Sequence, residues 1–116
     1  MALKDRKGSE ALKYINEAIM LQGPRGVYLP DFLDTRGVVY LTAGEPRRAI
    51  IDLEKAVEAA PSPSKYFHLV QAYLADNNKE KARQNLELAK TRGLALRDLH
   101  PLEQPSYQKV LSELGM

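Results

Sequence analysis

Residues 37–56 read GVVYLTAGEPRRAIIDLEKA, and they set Gly37 and Gly44 inside sequence that is otherwise helical. Glycine in a helix costs about 1 kcal/mol relative to alanine, because it has more backbone freedom to lose. Ala49, Ile50, Leu53, Ala56, Val57 and Ala60 fall on one face at the 3.6-residue period, where a strand would alternate. Pro46 sits where a first helical residue loses no bond it needed, and Pro61 ends the segment. Upstream, DFLDTRGVVYLTA runs as another helix to Gly44, a residue suited to the left-handed conformation that closes helices. Residues 31–60 therefore read as helix, tight turn, helix.

Moved 33 residues along the chain, the unit meets itself. Leu33, Gly37, Tyr40, Ala49, Leu53 and Ala56 fall on Tyr66, Val70, Tyr73, Ala82, Leu86 and Ala89, and the Gly44-Glu45 turn falls on Asn77-Asn78. Asparagine is second to glycine in tolerating positive φ, so turn chemistry repeats along with packing pattern. Such a period with a helical hairpin as its unit marks a stacked repeat solenoid.

This unit resembles the tetratricopeptide repeat. Leu33, Gly37, Tyr40, Ala49, Leu53, Ala56 and Pro61 occupy the family's pattern places in residues 30–63, with Arg36 where leucine is usual. A second unit, 63–93, keeps Tyr66, Leu69, Tyr73, Ala82, Leu86 and Ala89 but has Val70 for the glycine and no closing proline. EALKYINEAIML, within 9–23, matches the second helix of a further repeat through Ala11, Ile15 and Ala18, and the loop QGPRGVYLP separates it from the next unit. In residues 94–116 a proline-bounded linker leads to SYQKVLSELG, whose Tyr107, Val110, Leu111 and Leu114 form one helix face expected to cap the last repeat. The resemblance implies an all-α, single-domain, right-handed superhelix of antiparallel helix pairs, about six helices in all, with a C-terminal capping helix.

Composition narrows function. In 116 residues, 44% hydrophobic and 28% charged, there is no cysteine, which removes disulfides, thiolate nucleophiles and cysteine metal sites together. MALKDRKGSEALKY carries charge where an export signal needs an apolar run, and no stretch nears the ~20 apolar residues of a membrane span, so a soluble, cytoplasmic protein is expected. The net charge of +2 is spread, with Lys and Arg interleaved among Asp and Glu, as on a solvated helix surface rather than a nucleic-acid stripe.

Catalytic constellations are missing from the pattern. There are two histidines, His68 and His100, and no nucleophile elbow, zinc-helix or phosphate-loop spacing; no cofactor or metal is expected. His100, before Pro101, reads as a surface or capping residue, and Gly23 and Gly26 in QGPRG as a helix stop rather than a phosphate cradle. Asp31 and Asp34 fit a metal or acid/base pair by spacing, but aspartate at a helix start is favoured by capping and the dipole alone. Tyr40 and Tyr73 read as core rather than as a stacking platform.

What the resemblance implies is a noncatalytic module or scaffold that holds a protein or peptide in a groove lined by the first helix of each unit. The groove places are Asp31, Asp34, Thr35 and Val38, then Ser64, Phe67, His68 and Gln71. They lack the Lys, Asn and Arg with which chaperone-binding members clamp a C-terminal carboxylate. Two aspartates, an exposed Phe67 and a histidine suit a basic or apolar segment, since like charges repel an acidic one; alternatively Phe67 is buried by the C-terminal cap. The apolar face Leu12, Ile15, Ile19, without a first helix beside it, is expected to be covered from outside the chain, a second copy making a homodimer being one way. The other reading is an accessory or regulatory domain of a larger enzyme or assembly complex.

Overall fold

The computed structural model describes residues 6–92 and 101–115. Six α-helices follow in order: α1 Arg6–Gln22, α2 Leu29–Thr42, α3 Pro46–Ala59, α4 Pro63–Ala75, α5 Lys79–Thr91 and α6 Gln104–Glu113, the last entered through a 3-10 turn at Pro101–Glu103. No strand occurs among the described residues. Each helix packs on the next through α5, and α2 also touches α4 directly, so α2 and α4 share a face.

The turns explain why two helix pairs share one design. In the first, Gly44 has φ +80 and Glu45 N–H donates to Tyr40 O at 2.9 Å; in the second, Asn77 has φ 59 and Asn78 N–H donates to Tyr73 O at 2.9 Å. In both, the residue at positive φ closes the helix while the next N–H reaches back five residues to an otherwise orphaned carbonyl. Asparagine thus does at residue 77 what glycine does at 44. Ser62 and Asn78 cap α4 and α5 by accepting from Lys65 N–H and Lys81 N–H, which lack intrahelical partners.

Gly37 faces Leu53. A Cβ built on Gly37 would lie 2.6 Å from Leu53 Cγ and 2.7 Å from Cδ2. The glycine therefore admits a leucine of α3 rather than lying against Ala49 and Ala56 themselves. Leu53, Ala49, Ala56, Leu69, Val70, Ala82, Leu86 and Ala89 are wholly buried in the core, where each buried leucine contributes about 2 kcal/mol by leaving water. The α2/α3 pair packs more extensively than α4/α5, the direction expected if Val70 holds its partner helix further off. Val70 nevertheless remains fully buried.

Arg36 takes the place where leucine is usual and makes an ion pair instead of an apolar contact. Its Nε and Nη2 donate to Asp52 Oδ2 and Oδ1 at 2.7 and 2.8 Å, and Nη1 donates to Asn16 Oδ1 at 3.1 Å, so one guanidinium ties α2 to α3 and α1. The Asp52 hydrogen bond raises the Arg36 pKa above its ordinary value against the opposing effect of burial. Planar bidentate geometry supplies the compensation that a buried aspartate requires.

α6 lies over the end of the second pair. Val110 and Leu114 are buried in the same core as Leu86 and Val70, and Arg83 of α5 donates to Leu114 O through Nε at 3.2 Å and Nη2 at 2.8 Å. On α1 the expectation of an uncovered Leu12–Ile15–Ile19 face is corrected. Ile15 is buried, and Leu12 and Ile19 are half-buried, because this face turns toward α2. The large apolar side chains left exposed on α1 are Tyr14, Met20 and Leu21. Tyr40 and Tyr73 pack partly buried against the core, with the Arg48 guanidinium 5.8 Å from the Tyr40 ring and the Tyr73 hydroxyl donating to Glu54. His100 lies outside the described residues.

Candidate binding face

Side chains from α2 and α4 meet in pairs that cross the helix boundary. Asp31, in the first turn of α2 where the helix dipole favours an anion, accepts from Lys65 Nζ at 2.8 Å. One turn on, Asp34 Oδ1 lies 2.9 Å from His68 Nδ1. Both pairs span 34 residues, one more than the 33-residue offset between equivalent places, so each aspartate meets the residue just past its own counterpart.

Glu103, from the 3-10 turn, closes the cluster from the other side. Its Oε1 lies 3.7 Å from His68 Nε2 and accepts from Ser64 Oγ at 3.4 Å. Burial of His68 opposes its protonation, but the hydrogen bond it donates to Asp34 and the charges of Asp34 and Glu103 outweigh it, raising the pKa above the ordinary 6.5. With Nδ1 on one carboxylate and Nε2 facing another, His68 is held between acids. Ser64 is turned to Glu103, and the cluster ties α2, α4 and the C-terminal 3-10 turn together.

Of the eight residues expected on the face, the structure brings Asp34, Ser64 and His68 into one hydrogen-bonded cluster and sets Asp31 beside it through Lys65. Thr35 is exposed, with its hydroxyl spent on Asp31 O at 3.1 Å, and Val38 is half-buried. Gln71 lies further along α4, lining a groove of about 390 Å³ against Lys109, Val110 and Glu113 of α6. Phe67 is not an exposed groove residue, and of the two expectations burial under the C-terminal cap holds. Phe67 is 2% exposed, because the Tyr107 ring of α6 packs edge-on at 6.1 Å between centroids.

Two contributors escaped the sequence reading, Lys65 and Glu103. The 34-residue spacing from Asp31 could have flagged Lys65, since opposite charges one repeat apart on adjacent first helices come into reach. Nothing local marks Glu103, which arrives by the path of the C-terminal segment. The electrostatic result is a face as acidic as two bare aspartates while His68 is neutral, and less acidic once it is protonated. Asp31, Asp34 and Glu103 against Lys65 leave −2 with neutral His68 and −1 once it is protonated.

The sequence profile of the tetratricopeptide repeat matches residues 30–63. Those residues are α2, the Gly44 turn, α3 and the prolines that follow. No curated protein and no solved structure matches the chain. With the hairpin design repeated in α4 and α5, down to the backbone hydrogen bonds of its turn, the chain has a tetratricopeptide-like helical repeat fold in which residues 30–63 match the tetratricopeptide repeat itself.

Proposed function

We propose that the protein is a noncatalytic interaction module whose α2/α4 face holds a basic or apolar segment of a partner protein. Tetratricopeptide repeats generally mediate protein–protein interactions. The observation that carries the finer reading is the cross-helix cluster itself. Asp31, Asp34, Lys65, His68 and Glu103 fix the relative position of α2, α4 and the C-terminal turn, and the face they form keeps a net negative charge. A preorganised surface costs less ordering on binding, and its sign selects against acidic segments.

The test is capture of partners by the purified chain against Thr35→Lys and Gln71→Lys, which add positive charge to the face while leaving the core and the His68 cluster in place. Loss of the wild-type partner in both variants, at unchanged melting temperature, is the expected result. Capture indifferent to both changes rejects the α2/α4 assignment. A homodimer through α1 is favoured by Tyr14 and Leu21, seven residues apart on one side of that helix and 67% and 88% exposed. Sedimentation equilibrium showing a monomer at all concentrations removes that second reading.

A further inference from the structure

We infer that the protein has a second docking surface, a groove between the C-terminal half of α1, the start of α2 and α3, which takes an apolar segment of a partner bordered by acidic side chains. The groove encloses about 390 Å³, and its walls are Ile19 and Met20 of α1, Pro24 of the connecting loop, and Leu29 and Leu33 of α2. That volume lies within the range of ligand-sized clefts. Met20 is 80% exposed, an apolar side chain held in water beside half-buried Ile19 and Leu29.

The wall is prebuilt. Gln22, the last residue of α1, folds its side chain over Gly26, where a Cβ would sit 1.9 Å from Gln22 Cγ, and its Oε1 accepts from Tyr28 N–H at 2.6 Å. Gly26 N–H donates to Gly23 O at 3.2 Å, and Leu29 N–H donates to Gly26 O at 3.1 Å, closing the loop on itself. Gly26 thus serves to seat Gln22, while Gly23, at φ +77, ends the helix. A loop fixed this way presents Pro24 without an ordering cost on binding.

Charge chooses the occupant. Arg36 lines the groove, but its guanidinium is spent on Asp52 and Asn16. Lys55 of α3, at the rim, is exposed, and so is Arg25 beside Pro24; no carboxylate among the described residues pairs with either. Among the described residues, no acidic side chain lines the groove. An apolar cleft with the unpaired cation of Lys55 at its rim attracts carboxylates and repels lysine-bordered segments. Its preference is opposite to that of the α2/α4 face, so the two surfaces sort different partners.

The experiment titrates the full chain with two fluorescein-labelled amphipathic peptides sharing one leucine face, one bordered by glutamates and the other by lysines. Saturable binding of the glutamate peptide, about tenfold tighter than the lysine peptide, is expected. Lys55→Glu should reverse that preference and Met20→Asp abolish binding. Both positions are exposed, so circular dichroism should show an unchanged fold. Amide chemical-shift changes should centre on Ile19, Met20, Leu33 and Lys55. Equal affinity for the two peptides, indifference to Lys55→Glu, absence of saturable binding, or shifts centred on α4 overturns the proposal. So does concentration-dependent self-association that Met20→Asp removes, which would give the groove to a second copy.

Discussion

At Gly37 two opposing terms can be weighed on one atom. Alanine would regain about 1 kcal/mol of helix propensity, but its Cβ would overlap Leu53 Cγ and Cδ2 inside a core where Leu53 has no exposed surface to yield into. Overpacking of this kind costs about 1–3 kcal/mol, so Gly37→Ala should destabilise, and Leu53→Ala in the same chain should make the glycine replacement nearly harmless. A double-mutant cycle by urea unfolding measures that coupling. Arg36 carries a similar argument in charge. Arg36→Leu restores the usual residue yet strands Asp52, whose side chain is 4% exposed, at an expected loss of about 3–5 kcal/mol. Arg36→Leu with Asp52→Leu should recover most of it, as read by the same unfolding curves. His68 makes stability depend on pH. Because its pKa in the folded chain is raised, protonation between Asp34 and Glu103 stabilises fully below the ordinary 6.5, and that contribution fades as pH rises through the raised value. The stability of the native chain relative to His68→Gln should therefore decline as pH rises above the ordinary 6.5 and through the raised pKa of the folded chain. A difference that grows with pH would show that the cluster does not hold the proton.

At the scale of elements, sequence was most legible where chemistry is local. Gly44 and Asn77 announce positive φ by residue type alone, Pro46 opens a helix, and the spacing of Ala49, Leu53 and Ala56 marks a buried stripe. The cap was readable from Tyr107, Val110 and Leu114, and burial of Phe67 beneath it stood as one of two alternatives that the sequence could not decide between. Helical spacing gives the direction of a side chain on its own helix and leaves open what another segment lays over it. Over Phe67 it is Tyr107 of α6 that packs. α6 should accordingly be part of the cooperative core. Leu114→Ala removes a side chain that is 1% exposed and should cost about 2–5 kcal/mol. Hydrogen exchange should then show faster opening of α4 and α5 with little change in α1, whereas an even loss of protection along the chain would argue against a cap local to the second pair.

Across the whole molecule the repeat explains both what could be foreseen and what could not. Equivalent positions predicted which helices pair and which faces are shared, because the 33-residue offset carries packing and turn chemistry together. The charge partners on the α2/α4 face were hidden, since Asp31–Lys65 and Asp34–His68 lie one residue off that equivalence and Glu103 is outside the repeat. Their effect is to make the α2/α4 face rigid and moderately acidic. The most direct test of its role is photo-crosslinking in the source cell with benzoylphenylalanine placed singly at Val38 and Gln71, on the first helices, and at Ile51 and Leu88, exposed on the second helices. Binding at the α2/α4 face predicts one shared protein adduct from positions 38 and 71 and none from 51 and 88. Adducts confined to 51 and 88 would contradict it.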